Sequence, residues 1–439
     1  MKLSGWGRYP SLDAIQTTPN TIDEVRTALA QGSAIARGNG RAYGDSAINK
    51  TNTICMKRFN RFIKFDAETG LLIAQSGVLL IDVLNTFLPK GWFPRVTPGT
   101  KFVTLGGMVA SDVHGKNHHK VGSFGNSVEW IDMMNASGKV YRCSRLNDRD
   151  LFDWTLGGMG LTGIILNVAF YLQRVETSWI RKKILPAKNI EEAIDLFEQT
   201  LDSTYSVAWI DCSAKGNNLG RSLVMLGEHA RKQELKGSDQ RSPLKVHSGK
   251  KIKISFSLPR FMLSAKFLRL FNALYFWIGR KNQREKLVNF ETYFYPLDKL
   301  HNWNRAYGKR GFAQFQCVIP QENASVGIPV LLKTIVTSGS CSFLSVLKRF
   351  GEQESVISFP MQGYTLALDL PINERNLKLM SKLDEITIEY GGRFYLTKDS
   401  RLSATTLARS DQRIDLFKTY RKIKDLRLFS SSQSERLGL

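Results

Sequence analysis

Glycine spacing constrains this chain more than any other feature. The run from Thr97 to His119, continued by Gly122–Asn126, carries Gly99, Gly106, Gly107, Gly115, Gly122 and Gly125 among small residues and three histidines. A globular core does not need such a density, because glycine serves where φ is positive or where something large lies against the backbone. Two further loops accompany it: Ala36-Arg-Gly-Asn-Gly-Arg-Ala-Tyr-Gly-Asp-Ser46 and Gly157-Gly-Met-Gly-Leu-Thr-Gly163. Glycines beside Ser and Thr donors suit a backbone that lines a polyanion such as a pyrophosphate. Three such loops within the first 165 residues predict a large, phosphate-bearing cofactor.

A dinucleotide-binding Rossmann unit is disfavoured. Gly38-Asn-Gly-Arg-Ala-Tyr-Gly44 follows a strand, but about twenty residues on, where an acid would bind a ribose hydroxyl, the chain carries Lys57-Arg58.

With 439 residues and 42% hydrophobic content, the chain can bury the cores of two or three domains. The five cysteines are scattered without a CxxC pair, which predicts buried thiols in a reducing compartment and no structural zinc. Met1–Pro10 has no apolar h-region, so export through a signal peptide is not expected. No run of eighteen uncharged apolar residues occurs, so no spanning helix is expected.

The net charge of +23 is concentrated. Residues 231–286 hold fifteen Lys/Arg against three acids, about half the excess. The basic stretch Lys245–Lys253 precedes Ile254–Ile278, rich in Phe, Leu, Trp and Met with Lys and Arg spaced through it. Such a segment fits an interfacial helix on an anionic membrane, or a core helix with a solvated charged face. A nucleic-acid patch is disfavoured, because the aromatics cluster on an apolar helix and not between basic residues on strands.

Along the chain, helices are expected at 22–30, 78–87, 190–201, around 328–338 and at 377–390. Strands are expected at 34–36, 53–56, 71–74, 128–134, 140–143, 163–172, 206–211, 312–319 and 365–370. The texture changes near residue 175.

The loops resemble the flavin-binding domain of the vanillyl-alcohol-oxidase superfamily. Arg37–Asp45 is similar to its first pyrophosphate loop, and Pro98-Gly-Thr, Leu105-Gly-Gly and Ser111-Asp-Val-His-Gly115 to its second. Further blocks resemble the decaprenylphosphoryl-β-D-ribose 2′-oxidase family: His114–His119 with Gly122–Asn126, Asn304–Gly308, Phe315–Pro320, Leu347–Gly351 and Thr397–Arg401. They occur in family order over nearly the whole chain.

This resemblance implies an α+β fold: a two-subdomain, PCMH-type FAD-binding domain and a substrate-binding domain with an antiparallel sheet and flanking helices. The expected division is 1–175 for FAD, 176–392 for substrate with a membrane-facing insert at 231–286, and 393–439 as a return to the FAD domain. The implied reaction is FAD-dependent oxidation of the ribose 2′-hydroxyl of a polyprenyl-phosphoribose. A separate NAD(P)H-dependent short-chain reductase would then complete epimerisation to an arabinose donor for cell-surface glycans. Oxygen or a quinone would reoxidise the flavin. The location expected is cytoplasmic, peripherally on the inner membrane. A soluble sugar, alditol or aldonolactone oxidase is the alternative, and a non-catalytic basic lipid- or nucleic-acid-binding protein would leave the three loops unexplained.

Carried over position by position, the resemblance gives Lys398 flavin tuning and substrate positioning, with Tyr43 and His114 beside the flavin ring. Cofactor contacts are expected from Arg37, Gly38, Asn39, Gly40, Arg41, Ala42 and Gly44 in the first loop. The second loop adds Pro98, Gly99, Thr100, Leu105, Gly106, Gly107, Ser111, Asp112, Gly115 and Asn117, and the third adds Gly158, Gly163 and Ile164. Substrate contacts are expected from Lys116, Gln314, Gln316, Lys348 and Thr365. Gln314 and Gln316 alternate along one strand and so share a face, and paired amides suit neutral hydroxyls. Trp209 offers a face to the sugar or the prenyl chain, or fills the core. Arg41 stands where some superfamily members attach flavin through histidine, so FAD is expected to be dissociable. Phe294, Thr365 and Ala367 depart from family tyrosine, asparagine and cysteine positions.

Overall fold

The computed structural model describes residues 1–246, 252–254, 264–342 and 344–439. It is α+β and builds three main sheets. A small parallel sheet orders Gln16–Thr17, Thr53–Cys55 and Ile35–Arg37. The helix Ile22–Leu29 lies between its first two strands in sequence; Thr21 caps it by accepting from the Glu24 N–H at 3.2 Å.

An antiparallel sheet follows in the order Val140–Ser144, Val128–Met134, Ile164–Arg174, Leu71–Gln75 and Phe62–Phe65. Its longest strand, Ile164–Arg174, is buried nearly throughout and gives this part its core with the helix Leu80–Phe87.

The largest sheet has eight strands, all antiparallel: Lys286–Asn289, Trp179–Ala187, Ser222–His229, Tyr205–Ile210, Ser345–Phe350, Gly363–Pro371, Phe312–Pro320 and Arg393–Phe394. Alternation sorts its two faces. Ala313, Phe315, Cys317, Leu347, Leu366 and Leu368 enter a core with the helices Ile190–Gln199, Gln321–Ser338 and Glu374–Glu389. Their neighbours Gln314, Gln316, Lys348, Val346 and Ala367 line a cavity on the opposite side.

Five strands of this sheet were not expected: Trp179–Ala187, Ser222–His229, Lys286–Asn289, Ser345–Phe350 and Arg393–Phe394. The first reads poorly because Arg181, Lys182 and Lys183 interrupt the alternation and Pro186 reads as a break. Lys286–Asn289 pairs only with Trp179–Lys182, so Pro186 sits where that edge is uncovered and its missing N–H removes no ladder bond. The helix expected around 328–338 begins earlier, at Gln321, and passes through Pro329.

Of the basic and apolar insert, residues 247–251 and 255–263 lie outside the described residues. Ile252–Lys253 pairs in parallel with Leu300–His301, and Ser264 caps the helix Ala265–Lys281. No helix among the described residues is long and apolar enough to cross a membrane. All five cysteines are free and buried.

After Arg393–Phe394 the chain makes the Thr397–Lys398 turn and three helices, Ala404–Ser410, Arg413–Ile423 and Ser432–Leu437. Ala34 exchanges backbone bonds with Leu428 and Ser430 at 2.8 and 2.9 Å, so the C-terminal segment rejoins the small parallel sheet. Arg436 clamps the arrangement, donating to Asp45 at 2.8 Å and to Asp399 at 2.9 Å. Burial opposes the charge on Asp399, yet Arg436 and the N–H groups of Arg401 and Leu402 hold its carboxyl below the usual range. Removing the cation strands two buried carboxylates. Arg436→Met should therefore cost about 3 kcal/mol in urea denaturation of FAD-free protein, and a loss below about 1 kcal/mol, the worth of an exposed pair, would refute the clamp.

Candidate active site

The three glycine-rich loops meet around one cavity of about 420 Å³, within the size range of small-molecule sites. Strand Ile35–Arg37 delivers the first loop. The Arg37 guanidinium folds back to donate to Ser4 O (2.8 Å) and Ala47 O (3.2 Å), beneath Gly40 at φ +63°. Asn39 Nδ2 donates to Phe102 O at 2.8 Å and ties the first loop to the second. There Thr104 caps the short helix Leu105–Ala110, accepting from Gly107 N at 3.3 Å. Gly38 lies so close to Thr104 that a Cβ would collide with its hydroxyl.

Most of the expected cofactor contacts are brought together here. Arg37 to Tyr43 line the cavity, as do Pro98, Gly99, Thr100, Gly106 and Gly107. Ser111, His114, Gly115, Gly163 and Lys398 do so as well. Six expected cofactor residues stand behind the wall instead. Gly44 packs on the backbone of Asp399 and Ser400, and Gly158 on Trp154 O. Leu105 and Ile164 are core side chains. Asn117 donates to Arg95 O at 2.8 Å. Asp112 accepts from Ser123 Oγ (2.5 Å), Gly125 N (2.7 Å), Ser358 Oγ (2.5 Å) and Gln353 Nε2 (3.1 Å). It shapes the second loop from within.

Lys398 sits at the floor of the cavity. The Tyr43 N–H donates to Thr397 O at 2.9 Å, and Lys398 Nζ lies 3.6 Å from the centroid of the Tyr43 ring. Burial pushes the Lys398 ammonium below its ordinary range, partly offset by the charge of Asp369. Asp369 is pushed up by burial and held back by Gln314 and Lys398. Its Oδ1 accepts from Gln314 Nε2 at 2.5 Å, and its Oδ2 is buried without a hydrogen-bond partner among the described residues. Asp369 was not expected from the sequence. The available signal was a lone acid in the apolar strand Thr365-Leu-Ala-Leu-Asp-Leu370, opposite Gln314 in register.

The expected substrate residues Lys116, Trp209, Gln314, Gln316 and Lys348 also line the cavity. Thr365 stands behind it and accepts from Gln316 Nε2 at 3.2 Å. His114 is buried between Lys348, whose Nζ lies 3.0 Å from Nδ1, and Gln316, whose Nε2 lies 3.3 Å from Nε2. A neutral imidazole has one N–H. The neutral ring therefore donates through one nitrogen and accepts through the other, one toward Lys348 and one toward Gln316. Burial, Lys348 and His118 push the His114 imidazolium well below its ordinary pKa, so His114 is neutral and orients both neighbours. Lys348 is pushed to about 7 by burial and by Lys398. Lys116 is also pushed to about 7, by burial and by Lys182 and Lys348; it donates to Tyr293 O. Three half-buried amines lining one cavity favour an anionic ligand.

The residues present fit FAD. Gly99 lines the cavity with open space where a Cβ would stand, and the lining residue Ser76 keeps a buried hydroxyl with no partner among the described residues. Arg41 lies over Trp6, 4.0 Å from the ring centroid.

A family model for the FAD binding domain matches residues 14–144. The whole chain is 35% identical to the decaprenylphosphoryl-beta-D-ribose oxidase of Mycolicibacterium smegmatis and covers 97% of it. It is 31% identical over 375 residues to an uncharacterized protein of Streptomyces coelicolor, spanning 82% of this chain and all of that one. To L-gulonolactone oxidase of Bos taurus it is 26% identical over 211 residues, 46% of either chain. Fold, loops and matched domain define an FAD-dependent oxidoreductase. Its full-length relationship is narrower: the chain belongs to the decaprenylphosphoryl-β-D-ribose oxidase family.

Proposed function

We propose that the protein oxidises the ribose 2′-hydroxyl of a polyprenyl-phosphoribose to the 2′-keto sugar. The observation that carries this reading is a cavity whose amides and lysines continue into an apolar wall containing Trp209 and Tyr275. A soluble lactone or alditol oxidase has no use for that wall. When bound, FAD supplies the acceptor for the hydride leaving the 2′-carbon.

The side chains divide the remaining work. Gln314 and Gln316 hold sugar hydroxyls, and Lys348 and Lys116 meet the phosphate or sugar oxygens. Lys398, its ammonium weakened by burial, takes the hydroxyl proton as a free amine and is held by Asp369 once charged. Neutral His114 fixes Lys348 and Gln316. Tyr43 packs under Lys398. With Arg41 in the first loop, FAD is bound without a covalent link. We assign 1–175 and 393–439 to FAD binding and 176–392 to the substrate. The keto product passes to a separate NAD(P)H-dependent short-chain reductase, completing conversion to the arabinose donor. Oxygen or a quinone takes the flavin's electrons.

The enzyme docks on the cytoplasmic face of an anionic inner membrane through the helix Ala265–Lys281. Leu270, Phe271, Leu274, Tyr275, Trp277 and Ile278 are 42–70% exposed on it, with Lys266, Arg269, Arg280 and Lys281 interspersed. Deleting this helix would be destructive, because buried Asn272 bonds Asp211 at 3.1 Å and Ser342 O at 3.2 Å. Leu270→Glu with Leu274→Glu should instead release the protein from phosphatidylglycerol vesicles while leaving the flavin spectrum intact. Undiminished sedimentation with the vesicles would defeat the docking.

The decisive experiment is anaerobic mixing with farnesyl-phosphoribose and, separately, with free alditols and aldonolactones, following the oxidised-flavin band. Bleaching only with the prenyl ester is expected. Bleaching with the free sugars would overturn the proposal.

A further inference from the structure

Cross-strand register sets a row of side chains across the cavity face of the large sheet. Gln316 stands beside Ala367, Ala367 beside Val346, and Val346 beside Trp209. All four line the cavity. The row starts polar and becomes apolar in one step. At about 4.8 Å per strand, Trp209 lies about 14 Å from Gln316, too far for one ribose ring to touch both. A sugar held by Gln314 and Gln316 therefore leaves Trp209 to some other part of the ligand.

The apolar surface does not stop at Trp209. Its ring lies 4.7 Å from that of Tyr275, which also lines the cavity and is 42% exposed. Tyr275 stacks on Phe271, at 6.1 Å and 21°. Phe271, Leu274, Tyr275 and Ile278 have the three-and-four spacing of a single helical stripe. The helix is seated on the same side of the sheet, with Phe276 packed among Trp209 and Leu223 and Gly279 against Leu223. An unbroken apolar path thus runs from the amides to the surface of the helix.

Resting on the substrate reading above, we propose that Val346, Trp209, Tyr275 and Phe271 form a binding track for the hydrocarbon chain of the substrate. The first isoprene units lie along the row. The chain then leaves past Tyr275 onto the outer stripe of the helix, so the site is reached from the membrane without exposing the chain to water. Alkyl chain buried in such a track adds affinity with every methylene removed from water, so even one isoprene unit should be felt.

The test compares farnesyl-phosphoribose with propyl-phosphoribose, which share a head group. In the wild type, kcat/KM should be about 100-fold higher for the farnesyl ester. Tyr275→Ser combined with Phe271→Ser should reduce that ratio at least about tenfold, mainly through KM for the farnesyl ester. Tyr275→Phe, which keeps the apolar face, should retain it. The flavin spectrum reports that each variant is folded. A ratio in the double variant within twofold of the wild type would overturn the track, as would equal turnover of the two esters by the wild type. Bleaching with neither ester would overturn the substrate reading itself, and the track with it.

Discussion

Lys398→Ala should give a folded, yellow protein that retains FAD and has lost turnover about 1,000-fold. FAD is retained because the cradle is built by the backbone of three loops, and the Thr397 carbonyl that accepts from Tyr43 N remains in place. Turnover is lost because the amine that lies over Tyr43 and is balanced by the charge of Asp369 is gone. Arginine separates two roles: it keeps a cation but cannot give up its proton. Lys398→Arg should stay inactive if the free amine takes the hydroxyl proton. Activity of Lys398→Ala within a few-fold of wild type would remove Lys398 from the chemistry. The pH dependence follows the same sign. The amine is the active form, so the rate should rise with pH and level off below the ordinary lysine range, because burial lowers this pKa.

Gly38→Val should abolish the yellow colour. A Cβ at position 38 would strike the Thr104 hydroxyl, and the extra methyls of valine have no room there. Thr104 caps the helix that carries Gly106 and Gly107, so the clash pushes the first and second loops apart across the cofactor site. FAD affinity should fall at least about 100-fold, as expected when a preorganised site is opened. The check is flavin content after purification and reconstitution with excess FAD, with circular dichroism to report the fold. Normal flavin content would show that the loops do not need this close contact.

The cofactor class was readable early because its signal is local. Glycine at Gly38, Gly40, Gly99, Gly106 and Gly107 answers a demand made by the ligand and the adjacent backbone, and the residue type alone carries it. The pairing of Gln314 and Gln316 on one face follows from strand periodicity. Residues near those motifs were harder to sort. Asp112, Asn117, Gly44 and Gly158 belong to the same loops, yet they support the wall from behind, and nothing in a loop's composition says which side a residue takes. The strands Trp179–Ala187 and Ser345–Phe350 escaped notice because Arg181, Lys182, Lys183, Lys348 and Arg349 break the hydrophobic pattern. Lys348 does so because its side chain belongs to the cavity.

By itself, the sequence determined a chain built around a large phosphate-bearing cofactor, with amides and lysines for a polar ligand and a basic, apolar segment beside them. These are properties of residue type and short spacing. Only the tertiary structure decided that Asp369 faces Lys398, that Arg436 joins Asp45 to Asp399, and that Trp209 stands three strands from Gln316 but against Tyr275. Each depends on pairing between segments far apart in the chain. A buried charge is tolerated only where a distant partner meets it, and strand register is set by the packing of whole faces.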